Sequence, residues 1–307
     1  MCARDGVKIF FFKVACRLNT YFIKKLFNKC NKSICRSVIN SLEEQIDYFY
    51  PEMIKKNIPN AITILNLISG SIAVIFTFNG LLLYAGWMVL LAAVFDLFDG
   101  AAARLLKVSS PIGADLDSLA DTVSFGLTPG LILYKMMWLN QFKEANAYLP
   151  YDLFDRPIGW EIYLLPLVAL WMVVAGVIRL ARFNNDPRQS TSFIGLPIPA
   201  NGLFFAFLPI IFHDAIRHTG PIWDAVLNIL SNNTNLTLLA LLIPTMMLAP
   251  IPMFSLKIKS KNWKDYIPQI IFLLIGIVIF IEGRFLVVPL LILLYIIYSL
   301  ISLIIRK

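Results

Sequence analysis

Long apolar runs constrain this chain more than any other feature. Runs of about 18 or more residues recur along it, and each is long enough to cross a hydrocarbon core of roughly 30 Å as an α-helix. Of its 307 residues, 58% are hydrophobic and only 15% are charged. A soluble domain of this length could not bury so much apolar surface. The sequence therefore predicts an all-α, polytopic membrane protein.

Eight membrane spans are predicted from these runs, at about 60–78, 81–104, 112–138, 162–182, 197–213, 237–256, 268–281 and 285–305. Asn79-Gly80 is a tight connection between the first two spans, which predicts an antiparallel helix hairpin. Residues 139–161 and 214–236 are polar, contain Pro or Asn, and are predicted to be loops. The absence of a repeat or a linker predicts a single membrane-embedded domain over residues 53–307.

Residues 1–52 are expected to form a basic extension. Residues 1–50 contain nine Lys/Arg and four Asp/Glu, which supply +5 of the net charge of +8. Such a segment is attracted to anionic lipid headgroups, so we expect membrane lipids, and not nucleic acid, as its partner. All four cysteines lie here, in a spacing that fits no common zinc site. A start at Met53 would omit the extension, and N-terminal sequencing of the native protein distinguishes the two starts.

The orientation is predicted by the positive-inside bias. If the first span begins in the cytoplasm, thirteen Lys and Arg residues from position 55 onward lie on the cytoplasmic side and four lie on the opposite side. An even number of spans then places both termini in the cytoplasm. The same orientation puts the ends of the second and third spans, where acidic residues cluster, on the cytoplasmic side.

Four aspartates in these two spans are the most informative residues, because ionisable groups at membrane depth are costly and by default mark function. On a helix, one face carries five phased residues, at relative positions 0, 3, 4, 7 and 8, namely Asp96, Asp99, Gly100, Ala103 and Arg104. The next helix carries three residues spaced by four, namely Gly113, Asp117 and Asp121. A short connection lets the two faces oppose each other.

Four carboxylates packed together would repel one another strongly, and divalent cations remove that repulsion. Ligation by oxygen alone suits Mg²⁺ or Mn²⁺ better than zinc. Two such ions could clamp a diphosphate, and Arg104 adds a positive group suited to phosphate oxygens. The alternative is a solvated helix end with incidental acids and small residues for helix packing. The acidic and small residues share one face on each of two helices, and this regular spacing strongly disfavours incidental acids at a solvated helix end.

The pattern Asp96-x2-Asp99-Gly100-x2-Ala103-Arg104-x8-Gly113-x3-Asp117-x3-Asp121 resembles, at every position and gap, the signature of the CDP-alcohol phosphotransferases. The resemblance implies a six-helix core, usually a homodimer, with a two-metal site open to the cytoplasm, and thus makes residues 53–307 a catalytic domain. It also implies that the four aspartates hold two Mg²⁺ or Mn²⁺ ions and that Asp121 is the general base. The CDP contacts that it implies are Gly100, Ala103, Arg104 and Gly113.

Three further segments are similar to the subgroup of this family that uses L-serine in bacteria and archaea. They are Pro59-Asn60-x2-Thr63-x2-Asn66, Leu116-Asp117-Ser118-Leu119-Ala120-Asp121-x2-Ser124-Phe125-Gly126, and Arg179-Leu-Ala-Arg182-Phe183-Asn184 followed by Phe193-x-Gly195-Leu196-Pro197-x-Pro199-Ala200. This similarity covers roughly residues 52–257. It implies CDP-diacylglycerol and L-serine as substrates, and a prokaryotic cytoplasmic membrane as the location.

Two residue pairs in these segments are candidate ligand contacts. Thr63 and Asn66 share a helix face, so they could line the nucleotide pocket or form hydrogen bonds inside the bundle. Arg179 and Arg182 are i,i+3 neighbours that could bind the carboxylate of serine, or could be positive-inside anchors. The turn at Gly195-Leu-Pro-Ile-Pro is predicted to open a helix.

The mechanism predicted from the resemblance is direct displacement by a serine hydroxyl that Asp121 deprotonates. The same chemistry with glycerol phosphate, inositol phosphate or another alcohol is the nearest alternative, although a phosphorylated acceptor would need more clustered cations than Arg179 and Arg182. A cation-coupled transporter would instead place its carboxylates at the membrane midplane. A purely structural scaffold gives no reason for the phased aspartates.

Overall fold

The structure, a computed structural model, describes Lys55 and residues 57–108, 110–144, 164–185, 194–251, 253 and 284–305. In these residues five helices are long and apolar enough to cross a membrane, or six if one bent helix pair counts as a single span. Large apolar side chains such as Ile75, Leu97 and Leu105 are exposed on them, as expected for surfaces that face lipid. The predicted class, an all-α integral membrane protein, is confirmed.

The first two helices form the predicted antiparallel hairpin. Helix α1 (Asn57–Phe78) and helix α2 (Leu82–Leu106) are joined through Gly80, whose φ of +74° closes the turn. The amide of Leu81 donates to the carbonyl of Phe76, which satisfies one free carbonyl at the end of α1. The hairpin brings the beginning of α1 beside the end of α2.

The third predicted span is one helical stretch with an irregular centre. Helix α3 (Pro111–Asp121) continues through a π-helical segment (Thr122–Leu127) into helix α4 (Thr128–Glu144). Helix α4 extends past residue 138, so the start of the predicted loop 139–161 is helical, and residues 145–163 lie outside the described residues. The π segment follows Asp121 directly, and π-helical turns are frequent at functional sites.

Helix α6 (Ile198–Arg217) is the most buried of the candidate spans and packs against α2, α4 and the π segment. It begins after Gly195 and Pro197, as predicted, and Gly195 has a φ of +77°. Helix α5 (Trp171–Asn185) precedes it, entered by a 3₁₀ turn at Leu165–Leu170.

The predicted loop 214–236 is wrong. Helix α6 runs to Arg217, helix α7 occupies Pro221–Ser231, and helix α8 begins at Asn233 and ends at Leu248. Pro221 is tolerated in the first turn of α7, and Asn232 caps α8 by accepting from the amide of Thr234. The Pro and Asn residues taken as loop formers therefore start helices.

The last described helix, α9 (Val287–Ile305), follows a 3₁₀ turn at Arg284–Leu286 and packs against α6. It agrees with the predicted span 285–305. The predicted span 268–281 lies outside the described residues, as does the extension before Met53, so the count of eight spans and the boundary at residue 53 stay predictions. Residues from Ile58 onward belong to one compact unit.

Candidate functional site

Three of the four aspartates converge at one end of the helix bundle. One carboxylate oxygen from each of Asp96, Asp99 and Asp117 lies within 4.8 Å of the other two. Asp99 is only 6% exposed, whereas Asp96 and Asp117 are partly exposed. The two helix faces predicted from the sequence therefore do oppose each other, and their acids form a single cluster.

The fourth aspartate, Asp121, lies one turn further along the same helix face and is 7% exposed. The side-chain amide of Asn66 donates to its Oδ1 over 3.4 Å, and its carboxyl group approaches that of Asp96 closely. Asp121 is thus beside the group of three and is oriented by α1.

Helix α1 also holds Asp99. The Oγ1 of Thr63 is 2.6 Å from Asp99 Oδ2 and 3.1 Å from the carbonyl oxygen of Pro59, so its hydroxyl can donate to either. Thr63 and Asn66 therefore form hydrogen bonds inside the bundle, as one of the two sequence interpretations required. A contact of either residue with CDP stays a prediction.

The connection between α2 and α3 is short because both helix ends are capped locally. Lys107 ends α2 in the left-handed conformation, with φ of +52°. The Oγ of Ser110 accepts from the amide of Gly113 over 3.0 Å and so caps α3. A Cβ atom on Gly113 would lie 2.8 Å from Asn60 Oδ1, so this glycine also permits close packing of α3 on α1.

The surface beside the acids is open. Among the described residues, a Cβ atom on Gly100 would have no heavy atom within 4 Å beyond the backbone of its own helix. Ala103 is partly exposed, and Arg104 is exposed in the last turn of α2. These small residues leave space for a ligand next to the carboxylates, and Arg104 places a positive charge at the edge of that space.

The π segment fixes Asp121 relative to α1. The hydroxyl of Ser124 donates to the carbonyl of Asn66 over 3.2 Å, and that of Thr128 can donate to Gly70 over the same distance. A Cβ atom on Gly70 would overlap the Ser124 hydroxyl. These contacts between the π segment and α1 were not predicted, although the sequence signals for them were the small residue at position 70 and the hydroxyls at 124 and 128.

The two arginines of α5 have different surroundings. Arg179 is 6% exposed, stacks over the Phe183 ring at 5.5 Å, and lies within electrostatic range of Asp121. Its Nε has no hydrogen-bond partner within the described part of the chain. Arg182 is exposed, and its Nη1 donates to the carbonyl of Leu248 at the end of α8. The structure thus brings Arg179, and not Arg182, towards the acids.

The residues present fit a metal ion. The cluster offers oxygen ligands alone, which is the preference of hard divalent cations, and Oδ1 of Asp117 is buried without a hydrogen-bond partner among the described residues. Closely spaced carboxylates repel one another unless a cation lies between them. The aspartate cluster could therefore bind a metal, with Asp96, Asp99 and Asp117 as its ligands and Asp121 beside them.

Two further polar residues lie near this region, and neither was among the residues predicted to bind a ligand: Asn184 was noted only within the segment that contains Arg179, and Asn201 was not noted at all. Asn184 at the end of α5 donates to the hydroxyl of Ser118 over 3.0 Å, which ties α5 to the acid-bearing helix. Asn201 in the first turns of α6 is 0% exposed, and neither its Oδ1 nor its Nδ2 has a hydrogen-bond partner within the described residues. The only sequence signal for Asn201 was a lone amide within an apolar run.

Residues 56–231 match the sequence profile of the CDP-alcohol phosphatidyltransferase family. This match covers more than half of the chain and contains the aspartate cluster, so the chain belongs to that family.

Several relatives are named CDP-diacylglycerol–serine O-phosphatidyltransferase. The chain is 34% identical over 153 residues to that of Mycobacterium tuberculosis (strain ATCC 25618 / H37Rv), covering 48% of this chain and 46% of the relative. It is 36% identical over 144 residues to that of Helicobacter pylori (strain J99), covering 46% and 52%. For Bacillus subtilis (strain 168) the identity is 30% over 179 residues, covering 53% and 81%. The chain thus spans about half the length of the mycobacterial and Helicobacter relatives.

Proposed function

We propose that this chain transfers the phosphatidyl group of CDP-diacylglycerol to L-serine, giving phosphatidylserine and CMP. The observation that carries the proposal is the convergence of Asp96, Asp99 and Asp117 within 4.8 Å at one end of a membrane-embedded bundle. Membership of the family and the names of the relatives support the reaction and the acceptor.

The cofactors proposed are two divalent cations, Mg²⁺ or Mn²⁺, held by the four aspartates. Bound there, such ions would neutralise the diphosphate and stabilise the charge that develops at the transferred phosphorus. The chain itself contributes the fixed positions of the ligands. Thr63 orients Asp99, and Asn66 orients Asp121.

Asp121 is proposed as the general base. It is buried, and Asn66 holds only one of its two oxygens, so the other oxygen can accept a proton from the acceptor hydroxyl. The hydroxyl oxygen attacks the β-phosphorus, the bond from that phosphorus to the bridging oxygen breaks, and CMP leaves with that oxygen. Alignment by the site is expected to supply much of the rate enhancement.

The CDP group is proposed to lie over the open surface at the end of α2. A ligand there meets no side chain at Gly100, passes the partly exposed Ala103, and reaches the cation of Arg104. Gly113 borders the same surface from α3. Thr63 and Asn66 reach a nucleotide only at the depth of the acids, so their contribution to CDP binding is the smaller one.

Arg179 is proposed to bind the carboxylate of serine, because it is buried near Asp121 and has an unpartnered Nε. Arg182 contributes less, since its guanidinium already binds the end of α8. One buried guanidinium suits a carboxylate better than a phosphorylated alcohol, which disfavours glycerol phosphate and inositol phosphate as acceptors.

The protein is further proposed to lie in a prokaryotic cytoplasmic membrane as a homodimer, with its site and both termini facing the cytoplasm. The positive-inside bias supports this orientation. The homodimer rests on the resemblance to the family. A cation transporter is the weaker candidate, because the acids lie at one end of the bundle beside an open surface.

The test is purified protein with CDP-diacylglycerol and a panel of labelled alcohols, scored by lipid product. Serine, glycerol phosphate, inositol phosphate and water are the acceptors to compare. We expect labelled phosphatidylserine to be the dominant product. A preference for glycerol phosphate would replace the acceptor and keep the reaction, whereas no CMP release with any acceptor would remove the proposed function altogether.

A further inference from the structure

Within the described part of the chain, six side chains have a buried polar atom without a hydrogen-bond partner. Asp117 is a proposed metal ligand, and Gln141 and Asp214 lie towards the far ends of α4 and α6, which leaves three side chains nearer the acids. Their unpartnered atoms are Oδ1 of Asn66, Nε of Arg179, and both amide atoms of Asn201. Asn66 and Asn201 are 0% exposed, and Arg179 is 6% exposed. Buried polar atoms are nearly always paired, and an unpaired one is costly, so three such side chains indicate a missing polar ligand.

Asn201 lies where α6 meets two other elements. One turn before it, Cδ1 of Ile198 is 2.8 Å from the position that a Cβ atom would take on Gly176 of α5. The same methyl is 3.9 Å from the corresponding position on Gly126 of the π segment. The beginning of α6 is therefore wedged between α5 and the π segment.

The next residue of α6 shows how tight this junction is. A Cβ atom on Gly202 would lie 2.8 Å from Cα of Phe125, four residues beyond Asp121. On α5, which α6 contacts at Gly176, Arg179 lies one helical turn beyond that glycine. Asn201 is therefore buried where α6 packs between the π segment, which directly follows the proposed base, and α5, which carries the proposed carboxylate ligand.

We propose that Asn201 binds the ammonium group of the acceptor and so makes the site select an amino-acid alcohol. This inference rests on the proposed function and deepens it. The Oδ1 of Asn201 accepts from the ammonium, and the unpartnered Oδ1 of Asn66 is a second acceptor beside Asp121. Arg179 binds the carboxylate, and the hydroxyl faces Asp121.

This arrangement matches the three groups of serine to three different kinds of side chain. Amide oxygens accept from a cation without adding a net charge to a site that already contains four aspartates. Glycerol phosphate and inositol phosphate lack the ammonium and would leave Asn201 unpaired, and a site built to bind a polar group rejects a ligand that lacks it. Asn201 is thereby a specificity-determining residue.

The test is Asn201→Leu, which keeps the side-chain shape and removes its polar atoms. We expect the KM for serine to rise about 10- to 100-fold, the magnitude of a lost hydrogen bond to a charged group. The KM for CDP-diacylglycerol should stay within about twofold, because the proposed CDP surface is formed by α2 and α3, whereas Asn201 belongs to α6. A KM for serine within about twofold of the wild type overturns the inference.

Stability provides an independent readout. Because the amide is unpaired in the ligand-free protein, Asn201→Leu should leave the Tm in detergent unchanged or raised. A fall of several degrees would mean that the amide is satisfied within the protein, and would also overturn the inference. Asn140→Leu is the matched control, since this amide donates to the carbonyl of Leu230 over 2.9 Å. It should lower the Tm and leave the KM for serine unchanged.

An analogue of serine without the ammonium tests whether the effect of Asn201→Leu comes from loss of a contact with that group. The compound 3-hydroxypropionate differs from serine only in lacking the ammonium. With the wild-type protein, its inhibition constant should therefore be higher than the KM for serine. Asn201→Leu should remove most of that difference, because it weakens serine and leaves the analogue unaffected. If the wild type makes a lipid product from another alcohol but none from serine, the proposed acceptor fails, and this inference fails with it. If phosphatidylserine forms normally in Asn201→Leu, the inference fails alone.

Discussion

Asp121 differs from the other three aspartates in its surroundings. Asp96, Asp99 and Asp117 bring their oxygens together, as ligands of a cation do, whereas Asp121 is held separately by Asn66 and lies near Arg179. A carboxylate with one oxygen held and one available can accept a proton from a bound alcohol. At the scale of the residue, three acids thus converge to hold charge, while Asp121, which is also a proposed metal ligand, is the one placed to move a proton.

Asp121→Asn tests this division. It keeps the shape of the side chain and removes the proton acceptor, so we expect turnover to fall by about 100-fold or more. Binding of the CDP-lipid should largely remain, because the three converging aspartates are unchanged. Turnover and lipid affinity are measured on the same purified variant. Near-normal turnover would exclude Asp121 as the base.

Gly100→Leu tests the open surface proposed for CDP. Apart from the backbone of its own helix, no atom of the described residues lies within 4 Å of the added Cβ, and leucine favours a helix more than glycine does, so the Tm should not fall. The side chain would occupy the space of the nucleotide, and kcat/KM for CDP-diacylglycerol should fall about 10- to 100-fold. Gly100→Ala is the graded control and should have a smaller effect. Unchanged kinetics in Gly100→Leu would place the nucleotide elsewhere.

At the scale of the element, the π segment connects the acids to the rest of the bundle. It follows Asp121, the hydroxyl of Ser124 within it donates to a carbonyl of α1, and the hydroxyl of Thr128 just after it can donate to another. The close approach at Gly70 makes these contacts possible. Asp121 and Asn66 are therefore held close to each other, because the segments that directly follow them in the chain are packed together.

Gly70→Ala should disturb this joint. The new methyl would overlap the Ser124 hydroxyl and lie 2.9 Å from the Ser124 Cα, so α1 must move away. Overpacking of this kind costs about 1–3 kcal/mol, which would lower the Tm by several degrees. Gly126→Ala is the matched control, since its methyl would meet only Ile198 at 3.9 Å. Equal Tm values for the two variants would contradict a tight joint at Gly70.

Much of the helical layout follows from the sequence, because long apolar runs predict membrane spans and residues such as Gly80 predict the turns between them. The opposing acid faces were also predictable, since phase within each helix and a short connection fix them. The helix α7 was not, because Pro and Asn start helices as readily as they interrupt them. The π segment and the unpartnered amide of Asn201 depend on contacts between helices, and such contacts cannot be predicted from a local sequence pattern.

At the scale of the whole molecule, the two ends of the helix bundle carry different residues. The acids, Arg104 and the start of α6 lie at one end, while the turn between α1 and α2 and the end of α6 lie at the other. From the sequence, thirteen of the seventeen Lys and Arg residues between the predicted spans from position 55 onward are expected on the same side of the membrane as the acids. This asymmetry supports a cytoplasmic site.

Single cysteines test that orientation. In a background with the four native cysteines replaced by serine, Lys107→Cys lies beside the site and Thr219→Cys lies at the opposite end. A membrane-impermeant maleimide applied to intact cells should label Thr219→Cys and should label Lys107→Cys only after the membrane is opened. The reverse pattern would place the site outside.

The most direct test of the central claim is the metal dependence of coupled product formation. Purified protein is supplied with CDP-diacylglycerol and serine, and CMP and phosphatidylserine are measured together before chelation, after chelation, and after adding back Mg²⁺ or Mn²⁺. We expect equal amounts of both products, loss of both on chelation and recovery of both with either ion. Equal rates before and after thorough chelation would contradict a metal-binding role for the aspartate cluster.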